Sequence, residues 1–330
     1  MRRLFGRALI SIAKNRQKEY NVFCMICTGA LPVQTGRNSG GCGGAMRLEE
    51  VIKRQGEYLE RAAVPEGRTD AEWIISAVTG LGRVRLRLEK DAVLTQEQCE
   101  ETERLCARRA QREPLQYILG TQSFMSLELH TDARALIPRP ETELLGEYCV
   151  QEIKRAYGEK RPVLLLDMCT GSGALALGIA TQAGNVRAVG ADISREALTL
   201  AAENCALCGL EDRVSFVRSD LFSSVEGQYD AIVSNPPYIP SKVILSLEPE
   251  VRSYEPKLAL DGGETGTEIY ARLIPQAAQR LKEGGFLALE AEEFEFDAIE
   301  RMFDDTGCFE NFRTFCDYSG QKRFCSAKRK

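Results

Sequence analysis

Val163-Leu-Leu-Leu-Asp-Met-Cys-Thr-Gly-Ser-Gly-Ala-Leu-Ala176 is an apolar run that breaks at an acid and two glycines, then resumes with helical spacing. Val163–Leu166 predicts a buried strand. Gly171 and Gly173 permit a tight turn and a close approach of backbone to a ligand, ahead of a helix amino end. The rhythm recurs downstream. Strands are expected at Val163–Leu166, Val186–Ala191, Val214–Val217, Ala231–Ser234 and Phe286–Glu290, with helices near 173–182, 195–207 and 267–282. This alternation predicts βαβ units and a parallel sheet covered on both faces. Asn311–Asp317 and Lys322–Ala327, flanking Tyr318-Ser-Gly-Gln321, read as an antiparallel hairpin on the sheet's edge.

Upstream the pattern differs. Leu48, Val51, Ile52 and Leu59, with charges between them, predict a helix from Met46 onward. Thr69-Asp-Ala-Glu72 resembles a capped helix start, Gly80 a stop, and Thr95-Gln-Glu-Gln98 the start of a third helix reaching about Arg112. Residues 46–115 therefore read as a small helical domain. Residues 116–137 read as strands separated by turns, a hairpin linker, and 138–330 as the α/β domain, entered through an amphipathic helix over Glu141–Tyr157. Residues 1–45 are basic and acid-poor and end in a glycine-rich stretch. They are expected to be a disordered or non-native extension, with translation begun upstream of the real start at Met46, rather than a signal or transit peptide.

The bulk composition bounds the function. The chain has 330 residues, 44% apolar and 28% charged, and a net charge of −5, which fits a globular protein and no broad phosphate-tracking surface. That argues against a duplex nucleic-acid substrate. No apolar run reaches the length of a membrane helix, so no membrane partner is expected. Twelve cysteines are scattered without a framework, and the single histidine is His130. This reads as reduced thiols in a cytoplasmic protein with no metal site, and it disfavours Ser-His or Cys-His nucleophilic chemistry.

The glycine loop has two readings. Gly171-Ser-Gly-Ala-Leu-Ala176 followed by Asp192, 21 residues after Gly171, satisfies a dinucleotide signature, with the acid placed to accept from a ribose hydroxyl. Asp167 weighs against NAD, because a carboxylate closing the strand would repel a pyrophosphate. S-adenosylmethionine (SAM) has no phosphate and carries a sulfonium and an ammonium group that an acid favours. Asp220, with Leu221 and Phe222, ends the third strand and suits an adenine edge and face.

The fourth strand ends in Asn235-Pro-Pro-Tyr238. Two prolines stop the ladder and leave an amide and an aromatic ring on a stiff turn at a strand's carboxyl end, where open α/β sheets bind ligands. The Asn235 side-chain oxygen and the Pro236 carbonyl can both accept N–H bonds from one NH₂ group. This fixes its nitrogen and stabilises positive charge developing there during methyl transfer. Tyr238 offers a face for a planar group. The chemistry points to a planar NH₂ substrate and leaves open whether it is a protein amide or a base's exocyclic amine. A SAM-binding protein without activity is a further alternative.

Asn235-Pro-Pro-Tyr238, the Asp167–Gly173 loop, Arg112-Glu-Pro-Leu-Gln-Tyr-Ile-Leu-Gly120 and Ile137-Pro-Arg-Pro-Glu-Thr-Glu143 together resemble the bacterial release factor glutamine methyltransferases (PrmC, also called HemK). The resemblance runs from about Met46 to the end. It implies SAM-dependent methylation of the side-chain amide nitrogen of the glutamine in the Gly-Gly-Gln motif of peptide chain release factors. It also implies a helical amino-terminal domain for partner binding, a hairpin linker and a seven-stranded, Rossmann-like methyltransferase domain. By motif position it assigns cofactor binding to Cys169, Thr170, Gly171, Ser172, Gly173, Asp192, Leu221 and Asn235, and amide binding to Asn235, Pro236, Pro237 and Tyr238. The related ribosomal-protein glutamine methyltransferases share the tetrad but usually carry a Ser-Pro form where this chain reads Arg139-Pro-Glu-Thr142, which favours the release factor branch. Two departures stand out. Ser126 replaces the family's glycine after Phe124-Met125, and Glu290-Ala-Glu-Glu-Phe-Glu295 replaces its usual Glu-Ile-Gly.

Overall fold

The computed structural model describes residues 46–330, and the expectation for residues 1–45 lies outside them. The described chain falls into two compact units that divide between Leu119 and Gly120.

The first unit is helical, with a short antiparallel pairing of β1 (Met46–Arg47) to β2 (Val93–Leu94). Its helices are α1 (Leu48–Arg61), α2 (Gly67–Thr79), α3 (Arg83–Leu88), α4 (Gln96–Ala110) and α5 (Leu115–Leu119). Leu48, Val51, Ile75, Leu94 and Cys99 form one buried cluster, and Leu59, Ala71, Ile74, Leu105 and Cys106 a second. Thr95 and Gln98 form the reciprocal cap at the start of α4. The expected cap of α2 at Thr69 is displaced three residues earlier, to Glu66. Glu66 adopts a left-handed conformation (φ 54°), and Gly67 begins the helix where a Cβ would lie 2.9 Å from the backbone of Glu60. Residues 116–119, expected as the start of the extended linker, instead belong to the helical turn Leu115–Leu119, anchored by the Pro114 carbonyl, which accepts from Tyr117 and Ile118 N–H.

The second unit opens with a hairpin of β3 (Thr121–Phe124) and β4 (Leu127–His130), then α6 (Pro140–Tyr157). The remainder runs β5 (Val163–Met168), α7 (Ala174–Gln182), β6 (Val186–Asp192), α8 (Arg195–Leu207), β7 (Val214–Arg218), β8 (Tyr229–Ser234), α9 (Ser241–Ile244), α10 (Pro249–Tyr254), α11 (Glu268–Arg280), β9 (Leu281–Glu290), α12 (Phe296–Thr306), β10 (Phe309–Cys316) and β11 (Lys322–Arg329). The seven strands of the large sheet lie in the order β10-β11-β9-β8-β5-β6-β7. β9, β8, β5, β6 and β7 are parallel, and β10 and β11 add the antiparallel edge. Helix α12, which the sequence reading had not placed, packs Phe296, Ile299 and Phe303 on one face of the sheet beside Tyr270 and Leu273 of α11. Leu145, Cys149, Leu175, Ile179 and Cys205 from α6, α7 and α8 cover the other face.

Chain order fixes where a ligand can sit. From β5 the chain moves outward to β6 and β7, then returns to place β8 on the opposite side of β5. The carboxyl ends of β5 and β8 flank this reversal, the usual crevice of open α/β sheets.

The hairpin docks through its turn. Met125 (φ 46°) and Ser126 (φ 70°) form a two-residue loop with both φ angles positive, the geometry of a type I′ turn. The buried Met125 side chain enters the space left by two glycines, where a Cβ on Gly146 of α6 or Gly178 of α7 would lie 2.3 or 2.6 Å from its sulfur. Glu143 accepts the Met125 N–H (3.1 Å), and the Asn204 amide on α8 bonds both N–H and C=O of His130. Ser126 thus occupies a left-handed position that glycine takes without strain. Ser126→Gly is expected to raise stability by about 0.5–1 kcal/mol, read as a higher denaturant midpoint at unchanged slope. An unchanged or lower midpoint would show that the turn is not strained.

Candidate active site

The glycine loop leaves β5 at Asp167–Met168 and enters α7 at Ala174. Three of its residues have positive φ: Cys169 (60°), Gly171 (54°) and Gly173 (84°). The loop is held from both sides. Asp167 is 1% exposed, and its Oδ2 accepts the Thr170 hydroxyl (2.6 Å) and the Ala176 N–H (3.1 Å). Its Oδ1 has no hydrogen-bond partner, and burial pushes its pKa up to about 7. Asp192, at the end of β6, accepts the Gly171 N–H through Oδ2 and the Ser194 N–H through Oδ1, each at 2.9 Å. Burial raises its pKa, and these backbone bonds oppose the rise. The Asn204 amide also donates to the Ser172 carbonyl (3.0 Å).

At the end of β7, Leu221 takes φ 48°, a second non-glycine residue in the left-handed region at a strand end. Asp220 beside it is half exposed, and both its oxygens accept from Arg272 of α11 at 2.8 Å. This ion pair, 52 residues apart in sequence, gave no sequence signal.

The tetrad follows β8, every residue of which is buried. Parallel pairing of Met168 with Ser234 sets the start of the glycine loop beside the start of the tetrad, and the Ser234 hydroxyl donates to the Met168 carbonyl. Asn235 Nδ2 donates to Thr142 Oγ1 (3.1 Å) in the first turn of α6. The same turn begins with Pro140, and the preceding Arg139 pairs with Glu255, a buried acid that also accepts the Ile137 N–H. The quoted Ile137–Glu143 motif is therefore the wall against which the tetrad is set.

Residues 260–267 form a second wall that the sequence reading missed. Ile239 N–H donates to the Leu260 carbonyl (3.0 Å), Gly262 N–H donates to the Ile239 carbonyl (2.9 Å), and Ile239 bridges Asp261 in parallel. A Cβ on Gly262 would stand 2.6 Å from Tyr238 Cα, and one on Gly266 2.3 Å from the Tyr238 carbonyl oxygen. The only available signal was the glycine-rich run Gly262-Gly-Glu-Thr-Gly266. Burial raises the Tyr238 phenol well above its ordinary pKa, so the ring is a neutral face in the physiological range.

The acidic run after β9 is not a solvated loop. Glu290 and Glu295 are buried, each with one unpartnered oxygen, and burial pushes them up to about 7 and about 8. Glu292 pairs with Arg323 of β11 (2.9 Å), and the Glu295 carboxylate accepts the Glu292 N–H (2.9 Å). Among the described residues, no group of His, Cys, Asp and Glu side chains is arranged to hold a metal ion. No helix among them is long and apolar enough to cross a membrane.

A seven-stranded sheet with a glycine loop and a polar strand end at its reversal point is the SAM-dependent methyltransferase class. Residues 150–246 match the family described as methyltransferase small domain. The fold is shared with the hMettl16 catalytic domain solved in complex with the MAT2A 3′UTR hairpin 6, at 15% identity and a TM-score of 0.52, covering 68% of this chain and 81% of that one. The particular family follows from closer relatives. Residues 50–120 match the PrmC N-terminal domain. The release factor glutamine methyltransferase of Geobacter sulfurreducens is 39% identical over 271 residues, 82% of this chain and 90% of that one. The one from Agrobacterium fabrum is 33% identical over 291 residues, 88% of this chain and 100% of that one. The chain belongs to the release factor glutamine methyltransferase family.

Gly262→Ala is expected to lower turnover on the order of 10²-fold, because its methyl group must displace the tetrad backbone. SAM affinity, measured by calorimetry, should change little. Turnover within twofold of the parent would show that residues 260–262 do not hold the tetrad in its working position.

Proposed function

We propose that the protein transfers a methyl group from SAM to the side-chain amide nitrogen of the glutamine in the Gly-Gly-Gln motif of peptide chain release factors. The observation that carries this reading is the Asn235–Thr142 hydrogen bond, which commits the Asn235 NH₂ group and leaves Oδ1 to accept. An amide nitrogen is a poor nucleophile because its lone pair is conjugated with the carbonyl. Asn235 Oδ1 and the Pro236 carbonyl accept its two protons, hold it in place and stabilise the positive charge that develops there. Tyr238 supplies a neutral face for the planar amide, and Pro237 stiffens the turn between them. Holding the two reactants in register supplies about 7–11 kcal/mol of the barrier.

SAM fits the residues of the glycine loop. The unpartnered buried oxygen of Asp167 suits a cationic ligand, and the Gly171 Cα faces open space. When bound, SAM supplies an electrophilic methyl group on a sulfonium leaving group. Cys169 through Gly173 would provide the backbone cradle, Asp192 a ribose acceptor, Asp220 and Leu221 the adenine edge and face, and Asn235 a further contact to the cofactor. No metal takes part. Residues 46–115 serve partner binding and 116–137 serve as the linker to the methyltransferase domain, 138–330. The partner is a protein and not a nucleic acid, in keeping with the net charge of −5. The many unpaired cysteines suit the cytoplasm, where release factors act.

Tritium from labelled SAM should appear in purified release factor and vanish when the motif's glutamine is changed to alanine. Label kept by that variant, or label released by nuclease from a copurifying nucleic acid, would overturn the assignment.

Asp167 gives cofactor binding a pH dependence. Below about pH 7 its carboxyl is protonated and neutral, and above it the carboxylate attracts the cationic ligand. SAM affinity should therefore rise roughly five- to tenfold from pH 6 to 7.5, below the range where the ligand's own amino group loses its proton. Asp167→Asn should bind more weakly and with a flat profile. An unchanged slope in that variant would remove Asp167 from the binding site.

A further inference from the structure

Ile137–Arg139 leads into α6, the helix whose first turn holds Asn235, and belongs to no strand or helix itself. Pro138 within it and Pro140 after it have no N–H to give. Its backbone therefore has few means of being fixed, and one side chain supplies two of them. Glu255, just beyond the end of α10, accepts the Ile137 N–H through Oε2 (3.3 Å) and the Arg139 guanidinium through Oε1. The Glu255 side chain is 1% exposed, and its own N–H is tied to the Val251 carbonyl of α10 (3.1 Å). A carboxylate suits this place because both of its oxygens accept, one from the main chain and one from a cation.

Two further bonds carry the tether to Asn235. Thr142 N–H donates to the Arg139 carbonyl (3.1 Å), so the residue gripped by Glu255 also closes the first turn of α6. No side chain caps this helix start. Thr142 Oγ1 then accepts from Asn235 Nδ2 (3.1 Å), which turns Oδ1 away from the helix. We propose that Glu255, acting through Arg139 and Thr142, is a positioning residue for methyl transfer, fixing the first turn of α6 so that Thr142 holds the Asn235 amide with its oxygen toward the substrate. This rests on the reading of Asn235 as the acceptor for the substrate amide.

Stability alone accounts poorly for this arrangement. A buried ion pair seldom stabilises a fold more than apolar residues of the same size would. Among the described residues the Glu255 carboxylate bonds only to Ile137 and Arg139, the two positions that aim α6 at the tetrad.

Glu255→Gln keeps the size of the side chain but leaves one acceptor oxygen where there were two, so either Ile137 N–H or Arg139 meets an NH₂ group. With SAM and release factor both saturating, this variant should lose about fivefold or more in kcat, and a smaller loss would overturn the proposal. A merely structural role is separated by combining it with Thr142→Val, which removes the acceptor for Asn235. If Glu255 acts through Thr142, Glu255→Gln should cost less than about twofold more in that background. Losses that multiply would overturn the relay even if each single variant were slow. Arg139→Gln breaks the tether from its other end and should show the same dependence on Thr142, which keeps the test open if Glu255→Gln folds poorly. Every rate is taken below the unfolding midpoint of the variant concerned, with SAM affinity measured alongside. Asn235→Ala separates the two claims. Turnover retained by it would overturn the reading of the tetrad, whereas an inactive Asn235→Ala beside losses that multiply would overturn the relay alone.

Discussion

Parallel pairing of β5 with β8, in register from Leu165 opposite Ala231 to Met168 opposite Ser234, is the constraint on which the site depends. The pairing is non-local, and it places next to each other two strand ends that the sequence separates by more than sixty residues. One end carries the glycine loop, with three residues at positive φ, and the other carries two prolines that cannot join a ladder. Each is a poor continuation of a strand. Both faces of the sheet are sealed by helices, so the open direction for a ligand is outward from these ends.

Around this pair the structure concentrates buried acids. Asp167, Asp192, Glu255, Glu290 and Glu295 are each raised by burial. A lone buried carboxyl contributes nothing to stability unless its oxygens find donors, and three of these five retain an unpartnered oxygen. Such groups are more readily understood as parts of a working site than as fold supports. By contrast, Asp230 sits at the opposite end of β8 with every donor supplied, by Arg161, Lys282 and the Leu164 N–H. Buried carboxyls with free lone pairs mark one end of the sheet, and a satisfied one braces the other.

Much of the sheet was legible in the sequence because its central strands are buried on both faces and read as continuous apolar runs ended by Asp167, Asp192, Asp220 and Asn235. The hairpin at the carboxyl terminus was legible from its turn residues. Helix α12 was not: the Glu290–Glu295 run was noticed only as a departure from the family pattern and carried no helix signal, whereas Glu290 and Glu295 are buried and Glu292 caps the turn that leads into the helix. The start of α2 was misplaced because the Gly67 contact with Leu59 and Glu60 outweighs the local capping pattern at Thr69. Within the site, local residues were identifiable and their partners were not. Thr142 lies 93 positions from Asn235 and Arg272 lies 52 from Asp220, separations at which no periodicity carries information. The Ile137–Glu143 and 112–120 motifs were noticed through family resemblance alone. The structure gives the first of them a physical role as the wall behind the tetrad.

The central claim is that the tetrad holds a glutamine amide and directs methyl transfer to its nitrogen. Peptide mass mapping of a release factor incubated with this protein and SAM tests it most directly. The account predicts one added methyl group, localised by fragmentation to the side chain of the Gly-Gly-Gln glutamine and absent when Asn235→Ala replaces the parent. A methyl group on any other residue, or one that persists with Asn235→Ala, would contradict it.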